Sequence, residues 1–187
     1  MPLIRIRSTR FAQRRIVLSS TPMLAASSLR PFALAAVSSS FAVVLIAAHD
    51  VPVIVTHNRE TVDPALNILD DIEAFFSRSL EIAWSAGIER NRIVLDPGIG
   101  FGKTPQQSIA AIGCLARLRD FGLPLLIGLS RKRFINAVSP SAPQDRLGGS
   151  LAGAVLAVLD GAAIVRVHDV AETVQALRVT AAIRAAR

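Results

Sequence analysis

The chain has 187 residues, of which 51% are hydrophobic and 19% are charged, a composition typical of a globular protein and not of a disordered one. Its formal net charge is +7, but residues 1–46 hold six arginines and no acid, whereas the remainder holds 15 basic and 14 acidic residues. The excess charge is therefore confined to the N-terminal segment, and because no aromatic residues alternate with Lys or Arg, nucleic acid is not a predicted partner.

Residues 1–46 also differ from the rest in other respects. They contain eight serines and no Asp, Glu, Lys or Gly. A basic, serine-rich start is typical of a transit peptide, and the uncharged stretch 31–48 resembles a signal or membrane segment. Ser38–Ser40 interrupt that stretch, which barely reaches spanning length. An extension that never evolved to fold, for example one read in the wrong frame, and a folded helix or strand are the other interpretations. We place the domain boundary between residues 46 and 47.

From residue 51 onward, short apolar runs alternate with amphipathic stretches. Apolar runs occupy residues 51–55, 93–95, 123–128 and 163–167. Helical spacing extends over residues 63–86, 106–121, 147–159 and 170–183. Gly87 and Gly122 close the first two helical stretches, as glycine does at helix C-termini.

The chain has a single cysteine, Cys114. An internal disulfide is therefore excluded, and a reducing cytoplasm is the expected location. Cys114 lies in an apolar helical pattern with no histidine nearby, so we expect it to be a core residue.

The alternation of strands and helices indicates parallel βαβ units. The strand runs are apolar throughout, as expected when both faces of a sheet are covered. Strand ends recur at roughly 35–40 residues, the repeat of a TIM-type (β/α)8 barrel, which needs ~250 residues. Only about four βα units are present, so we predict an incomplete barrel with two unpaired edges. The alternative, a doubly wound sheet, would need a glycine-rich loop after its first strand, where this chain has Thr56-His57-Asn58.

Each predicted strand ends in polar residues. In a parallel barrel these ends share the face that carries catalytic groups. Basic groups and an imidazole around one acid suit an anionic or phosphorylated substrate; capping of the following helices is the structural alternative. After the first strand come Thr56-His57-Asn58, and after the others come Asp96, Ser130-Arg131-Lys132, and Arg166 with His168.

The segment Asp96–Thr104, DPGIGFGKT, resembles a phosphate-binding P-loop. The P-loop pattern requires glycine where Pro97 stands, and proline also removes a backbone donor. A nucleoside triphosphate site is therefore not predicted. The three glycines would permit close approach to a flat ligand, against which Phe101 could pack.

Arg166 and His168 lie two residues apart in a predicted strand and so share a face. Together they could hold a pyrophosphate. In the alternative interpretation, Arg166 pairs with Asp96 or Asp169, and His168 is a buried histidine with satisfied hydrogen bonds.

The motifs DPGIGFGK, LPLLIGLSRK, RLGGSLAGA and IVRVHDV, in this order, resemble the dihydropteroate synthase family over about residues 47–184. The resemblance implies condensation of 6-hydroxymethyl-7,8-dihydropterin pyrophosphate with p-aminobenzoate in folate synthesis. It implies that Asp96 binds the amino edge of the pterin and that Lys132 contacts the pterin ring. Ser130 and Phe101 match the p-aminobenzoate pocket, and Arg166 and His168 match the pyrophosphate site. The residues implied as catalytic are Lys132, Arg166 and His168, and further implied substrate contacts are Gly100, Lys103, Gly128 and Arg131.

The resemblance also implies a Mg²⁺ cofactor and a homodimer formed through the later helices. From the residues themselves we expect a cytoplasmic protein without a membrane segment. The family's first four strands supply an Asp-Ser-Phe loop, a metal-binding Asn, a Thr-Arg-Pro loop, and a second Asp and an Asn for the pterin. Residues 1–46 contain none of these motifs. The alternative hypothesis is therefore a non-catalytic remnant, or a dimerising interaction module that keeps part of the pterin pocket.

Overall fold

The protein is represented by a computed structural model that describes residues 15–18, 33–35, 47–48 and 52–187. In this part of the chain, six strands form one open sheet. They are β1 (Arg15–Leu18), β2 (Ala33–Ala35), β3 (Val53–Thr56), β4 (Ile93–Asp96), β5 (Leu125–Ile127) and β6 (Ala162–Val167). Their order across the sheet is β1-β6-β5-β4-β3-β2.

Helices follow each of the strands β3 to β6. They are α1 (Ile68–Ser85), α2 (Pro105–Gly113), α3 (Arg133–Val138), α4 (Leu147–Leu159) and α5 (Val170–Ala185). Short 3₁₀ helices occupy Arg90–Arg92, Leu115–Phe121 and Pro143–Asp145. The six-residue α3 and the 3₁₀ helix at residues 143–145 have no counterpart in the sequence prediction, because neither is long enough to show a helical period.

Strands β3, β4, β5 and β6 pair with one another in parallel. The prediction of four parallel βα units in an incomplete barrel is therefore confirmed. Both faces of these strands are buried, as their uninterrupted apolar runs predicted. One face packs under the helices, and the other carries the row Ile54, Val94, Leu126 and Ile164, a separate buried cluster.

Helix α1 shows why the local sequence folds as it does. The Asn67 side chain accepts a hydrogen bond from the Leu69 amide, so the helix begins at Ile68 and not at residue 63. Five buried side chains at helical spacing then face the sheet, and Gly87 follows the helix end with φ 81°. The buried face consists of Ile68, Ile72, Phe76, Leu80 and Ala83.

The single helix predicted over residues 106–121 is divided in two. Helix α2 starts with a capping box between Thr104 and Gln107 and ends at Gly113. A 3₁₀ helix continues the chain to Phe121, and Gly122 closes it with φ 62°. Cys114 forms the junction and is only partly buried, so the expectation of a core cysteine was wrong.

The two edges of the four-stranded core, predicted to be unpaired, have partners. Strand β2 pairs in parallel with β3, and β1 pairs antiparallel with β6. For residues 15–18 and 33–35 this agrees with the interpretation of the extension as folded strand. Most of residues 1–46, on which the targeting, membrane-segment and reading-frame interpretations depend, lies outside the described part. Within that part, no helix combines the length and the apolar character needed to cross a membrane.

Candidate functional site

The ends of the parallel strands bring their polar side chains onto one rim. Two residues beyond the buried row Ile54, Val94, Leu126 and Ile164, on the same face, stand Thr56, Asp96, Gly128 and Arg166. The strand register places Thr56 beside Asp96. The Thr56 hydroxyl is buried and has no hydrogen-bond partner among the described residues. The shared rim predicted from the sequence is thus present.

Asp96 is the carboxylate at the centre of this rim, and its side chain is 1% exposed. One oxygen accepts the Gly98 amide at 2.8 Å, and the other accepts Arg166 Nη2 at 2.9 Å. An ionised carboxylate offers about four lone-pair sites, so two protein donors orient Asp96 without using its full capacity.

The alternative interpretation of Arg166, in which it pairs with an acid, is confirmed for Asp96. The accompanying expectation for His168 was wrong, because His168 is exposed and not buried. Its Nδ1 lies 3.0 Å from Ser130 Oγ. The two residues therefore remain on one rim, with Arg166 beneath and His168 at the surface.

The turn after β5 carries three of the predicted site residues. Arg131 has φ 58°, which is rare for a residue with a side chain. Its guanidinium makes a two-pronged contact with Asp169 and thereby lowers the pKa of that carboxyl. The Lys132 ammonium contacts the Ile99 carbonyl and lies 4.4 Å from the centre of the Phe101 ring, a cation–π contact.

A cleft of about 400 Å³ opens beside this turn. Arginine, lysine and histidine side chains dominate its polar lining, so it suits an anionic ligand. Asp96, Gly100, Phe101 and Lys103, also predicted to bind substrate, do not line it. The lining residues are Gly128, Ser130, Arg131, Lys132, Pro143, Arg166, Val167 and His168.

The glycine-rich loop after β4 rests on the end of β3. Gly98, Gly100 and Gly102 all have positive φ values. A Cβ atom at Gly98 would overlap the His57 carbonyl, and one at Gly102 would overlap the backbone of Arg59. The predicted close approach of these glycines is therefore made to the neighbouring protein backbone, whereas Gly100 lies nearest the Lys132 side chain.

Lys103 was predicted to contact substrate, but its ammonium is engaged inside the protein. It donates to His57 Nδ1 at 2.7 Å and to the carbonyls of Gly98 and Phe101 at 3.0 and 3.2 Å. With Nδ1 accepting, His57 donates through Nε2 to Asp71, which also accepts from Arg59, both at 2.9 Å. The geometry therefore corrects the predicted role: Lys103 supports the loop and does not reach the cleft.

Burial dominates the electrostatics of this network. It lowers the pKa of Lys103 to about 7, an effect that Lys132 adds to and Asp96 opposes. Burial also lowers the pKa of His57 to about 4, assisted by the nearby Lys103 charge. His57 is therefore neutral at pH 7, in agreement with its role as an acceptor at Nδ1.

We expect a lysine ε-carbon NMR signal to titrate near neutral pH. The chain has only two lysines, Lys103 and Lys132, so ¹³C-labelled lysine gives two signals that a Lys132→Arg variant assigns. Because the folded pKa of Lys103 is about 7 and the unfolded value is 10.5, the unfolded chain binds more protons between these values. Stability should therefore rise as pH increases from 7 toward 10.5. If the Lys103 signal titrates only near 10.5, the buried position is wrong.

Two groups of residues at the candidate site were not predicted from the sequence. Pro143 and Val167 line the cleft, and nothing in their local pattern signals it. Arg146 and Ser150 contact the turn after β5. Their signal was present, since both belong to the motif RLGGSLAGA, to which no role was assigned.

The described part of the chain contains no cluster of metal-binding side chains. Residues 47–48 and 52–187 contain no group of three or more His, Cys, Asp or Glu side chains that could hold a metal ion. The described residues therefore provide no all-protein cage for the Mg²⁺ that the resemblance implied.

Comparison with known proteins extends these observations. A family described as pterin binding enzyme matches residues 37–168, so the match begins before the boundary predicted at residue 47. Dihydropteroate synthase of Escherichia coli is 41% identical over 121 residues, which are 65% of this chain and 43% of that protein.

Two solved dihydropteroate synthases have a similar structure. The Clostridium difficile enzyme, solved in the presence of pteroic acid, is 43% identical with a TM-score of 0.72, over 75% of this chain and 54% of that one. The Xanthomonas albilineans enzyme, solved with 4-aminobenzoic acid, is 37% identical with a TM-score of 0.75, over 77% and 53%. The chain spans about half the length of the curated relatives it matches.

Proposed function

The chain belongs to the pterin binding enzyme family, and on that premise we propose that it carries the half of a dihydropteroate synthase site that binds the pterin and its diphosphate. The reaction is the condensation of 6-hydroxymethyl-7,8-dihydropterin pyrophosphate with p-aminobenzoate, giving 7,8-dihydropteroate and pyrophosphate. The observation that carries the proposal is the Asp96–Arg166 pair, 2.9 Å apart on the rim, next to a cationic cleft.

Asp96 is the proposed anchor for the pterin. Pterin rings present adjacent N–H donors, which match the two oxygens of an ionised carboxylate. The Gly98 amide and Arg166 fix the orientation of Asp96, and each oxygen has one further lone pair that no described residue uses. The Lys132 ammonium lies 4.4 Å from the centre of the Phe101 ring, and this contact supports the proposal that the two side chains cover the flat face of the pterin.

The cleft is the proposed site for the diphosphate. In the reaction, the p-aminobenzoate nitrogen forms a bond to the pterin methylene carbon as the carbon–oxygen bond to diphosphate breaks. Negative charge accumulates on the leaving diphosphate, so preorganised donors assist the step. Among the described residues Arg166 donates to Asp96 through Nη2 alone, which leaves its other N–H groups for the proposed phosphate. Ser130 and His168, on the same wall, complete the set.

The proposal also covers the metal ion, the cellular location and the oligomeric state. The described side chains form no all-protein cage for Mg²⁺, and the roles proposed here belong to the chain's own residues. A cytoplasmic location is supported by the single cysteine. A homodimer is supported by exposed apolar side chains on the adjacent helices α4 and α5, namely Leu156, Leu159, Val179 and Ile183.

Calorimetry with pteroate, a pterin–aminobenzoate ligand, tests the binding half of the proposal. We expect the purified chain to bind pteroate and an Asp96→Asn variant to bind at least ~10-fold more weakly, since it loses one charged acceptor. Asp120→Asn, the same change at an exposed position on the 3₁₀ helix Leu115–Phe121, is the matched control. No heat with the unaltered chain, or equal affinities for the three proteins, would reject the proposal.

Sedimentation equilibrium on the same samples tests the homodimer; a monomer at every concentration would contradict it.

The alternative function is a non-catalytic remnant, which would bind the pterin as the proposed enzyme does but would not form dihydropteroate. It is favoured by the fact that the chain spans about half of its relatives. Mixing the chain with both substrates and Mg²⁺ and measuring dihydropteroate distinguishes the two functions. Pteroate binding without product would identify a binding remnant, whereas product would establish the enzyme.

A further inference from the structure

One face of the N-terminal part of α4 packs against the turn that follows β5. Arg146, Gly149, Ser150 and Gly153 occupy positions i, i+3, i+4 and i+7 of the motif RLGGSLAGA, which share one side of a helix. All four meet the segment from Leu129 to Ile135. None of them lines the cleft, so the motif contributes to the site only through this segment.

Hydrogen bonds hold the Arg131 residue from both sides. Its amide donates to Ser150 Oγ at 2.9 Å, and its carbonyl accepts Arg146 Nη1 at 3.0 Å. Ser150 in turn donates to the Arg146 carbonyl at 2.7 Å. Ser150 and Arg146 are both buried, the bond between them is buried, and their two bonds to Arg131 are partly buried.

The left-handed backbone at Arg131, with φ 58°, needs such support. A residue with a side chain pays a steric penalty there that glycine avoids, and it persists only where the surroundings impose it. The hydrogen bonds from α4 to the amide and carbonyl of Arg131 provide that constraint.

The two glycines of the motif allow α4 to come close enough. A Cβ atom at Gly149 would lie 2.5 Å from Ile135 Cγ2, and one at Gly153 would lie 3.0 Å from Leu129 Cδ1. Larger residues would push the helix away from the turn and lengthen the hydrogen bonds of Ser150 and Arg146.

Arg131 lies in the chain between Ser130 and Lys132, and both of these residues line the cleft. On one side, Ser130 Oγ lies 3.0 Å from His168 Nδ1. On the other, the Lys132 ammonium contacts the Ile99 carbonyl and the Phe101 ring. We propose that Arg146 and Ser150 are positioning residues, which hold Arg131 in its left-handed conformation and thereby aim Ser130 at His168 and Lys132 at the glycine-rich loop. The effect on ligand affinity rests on the proposed function.

The test is Ser150→Ala, observed by NMR of ¹³C-labelled lysine and by pteroate calorimetry. The aromatic ring of Phe101 shifts the ε-methylene signals of Lys132, so this signal reports the position of the side chain with no ligand present. We expect it to move toward the value of an unstructured lysine while the Lys103 signal stays in place. Pteroate affinity should fall about tenfold, the effect of one lost hydrogen bond.

Ser77→Ala is the matched control, because Ser77 is also a helical serine that donates to the carbonyl four residues earlier, but it is exposed on α1. It should change neither readout. Ser150→Thr, which keeps the hydroxyl, should retain both. If Ser150→Ala does not fold, Arg146→Lys keeps the charge but cannot reproduce the guanidinium contacts with both Arg131 and Ser141, and the same two readouts apply.

The Arg131→Gly background separates positioning from general stability. Glycine adopts φ 58° without strain, so Ser150→Ala should move the Lys132 signal much less there than in the unaltered chain. Equal shifts in both backgrounds, or no shift in either, would overturn the proposal. If the unaltered chain does not bind pteroate, the proposed function fails, and the Lys132 signal still decides the role of Ser150 and Arg146.

Discussion

Gly98→Ala is expected to lower the free energy of unfolding by at least ~4 kcal/mol, or to prevent folding. Two effects add at this position. The φ of 63° disfavours any residue with a Cβ atom, and that atom would overlap the carbonyl of His57. The obstacle is backbone at the end of β3, which cannot rotate away as a flexible side chain can.

Two further glycines separate these effects. Gly87 has φ 81° but nothing within 4 Å of the added Cβ atom, so Gly87→Ala should cost only the conformational penalty of about 1–2 kcal/mol. Gly113, the last residue of α2, has open space and no positive φ, so Gly113→Ala should be neutral or stabilising by up to about 1 kcal/mol. Urea denaturation of the three variants measures the series. A cost at Gly98 no larger than that at Gly87 would show that the loop does not rest on β3.

Arg166→Ala should destabilise the fold by about 3 kcal/mol, because it leaves the buried Asp96 carboxylate without its cation. The side chain of Asp96 is 1% exposed and that of Arg166 is 14% exposed, so water cannot replace the lost partner easily. Denaturant unfolding at pH 7 is the measurement. The same substitution in an Asp96→Asn background should cost less, since no buried charge is then stranded.

Arg117→Ala is the control for Arg166→Ala. Arg117 also pairs with a carboxylate at 2.9 Å, that of Glu73, but the two side chains are 51% and 31% exposed. Screening by water limits such a pair to less than about 1 kcal/mol. If both arginine variants lose the same amount, Asp96 is hydrated in solution and the buried pair is not a feature of the protein.

The parallel core was predicted well from the sequence because the spacing of apolar residues and the glycines at helix ends give the same element boundaries there. The predicted bounds of α4 match the structure, and Gly87 and Gly122 end their helical segments as expected. The rim prediction also succeeded, since side-chain alternation in parallel strands places Asp96 and Arg166 on one face. The rim prediction requires only the positions at which the strands end. In the sequence, Asp96 and His168 show where two of them end.

The sequence could not show which polar group faces which. Lys103 lies in the glycine-rich motif beside residues predicted to bind substrate, yet its ammonium contacts His57, a partner 46 residues away. Such long-range pairing has no periodic signature. The break at Cys114 and the short helix α3 were missed because a 3₁₀ segment and a six-residue helix resemble the patterns around them.

The contact of the glycine-rich loop with the end of β3 has a consequence for recognition. Gly98 and Gly102 lie against the backbone of residues 57 and 59, and Lys103 ties the same loop to His57. The loop therefore loses its conformational entropy when the protein folds and not when a ligand arrives. Binding of the proposed ligand at Asp96 should then require little rearrangement of the glycine-rich loop.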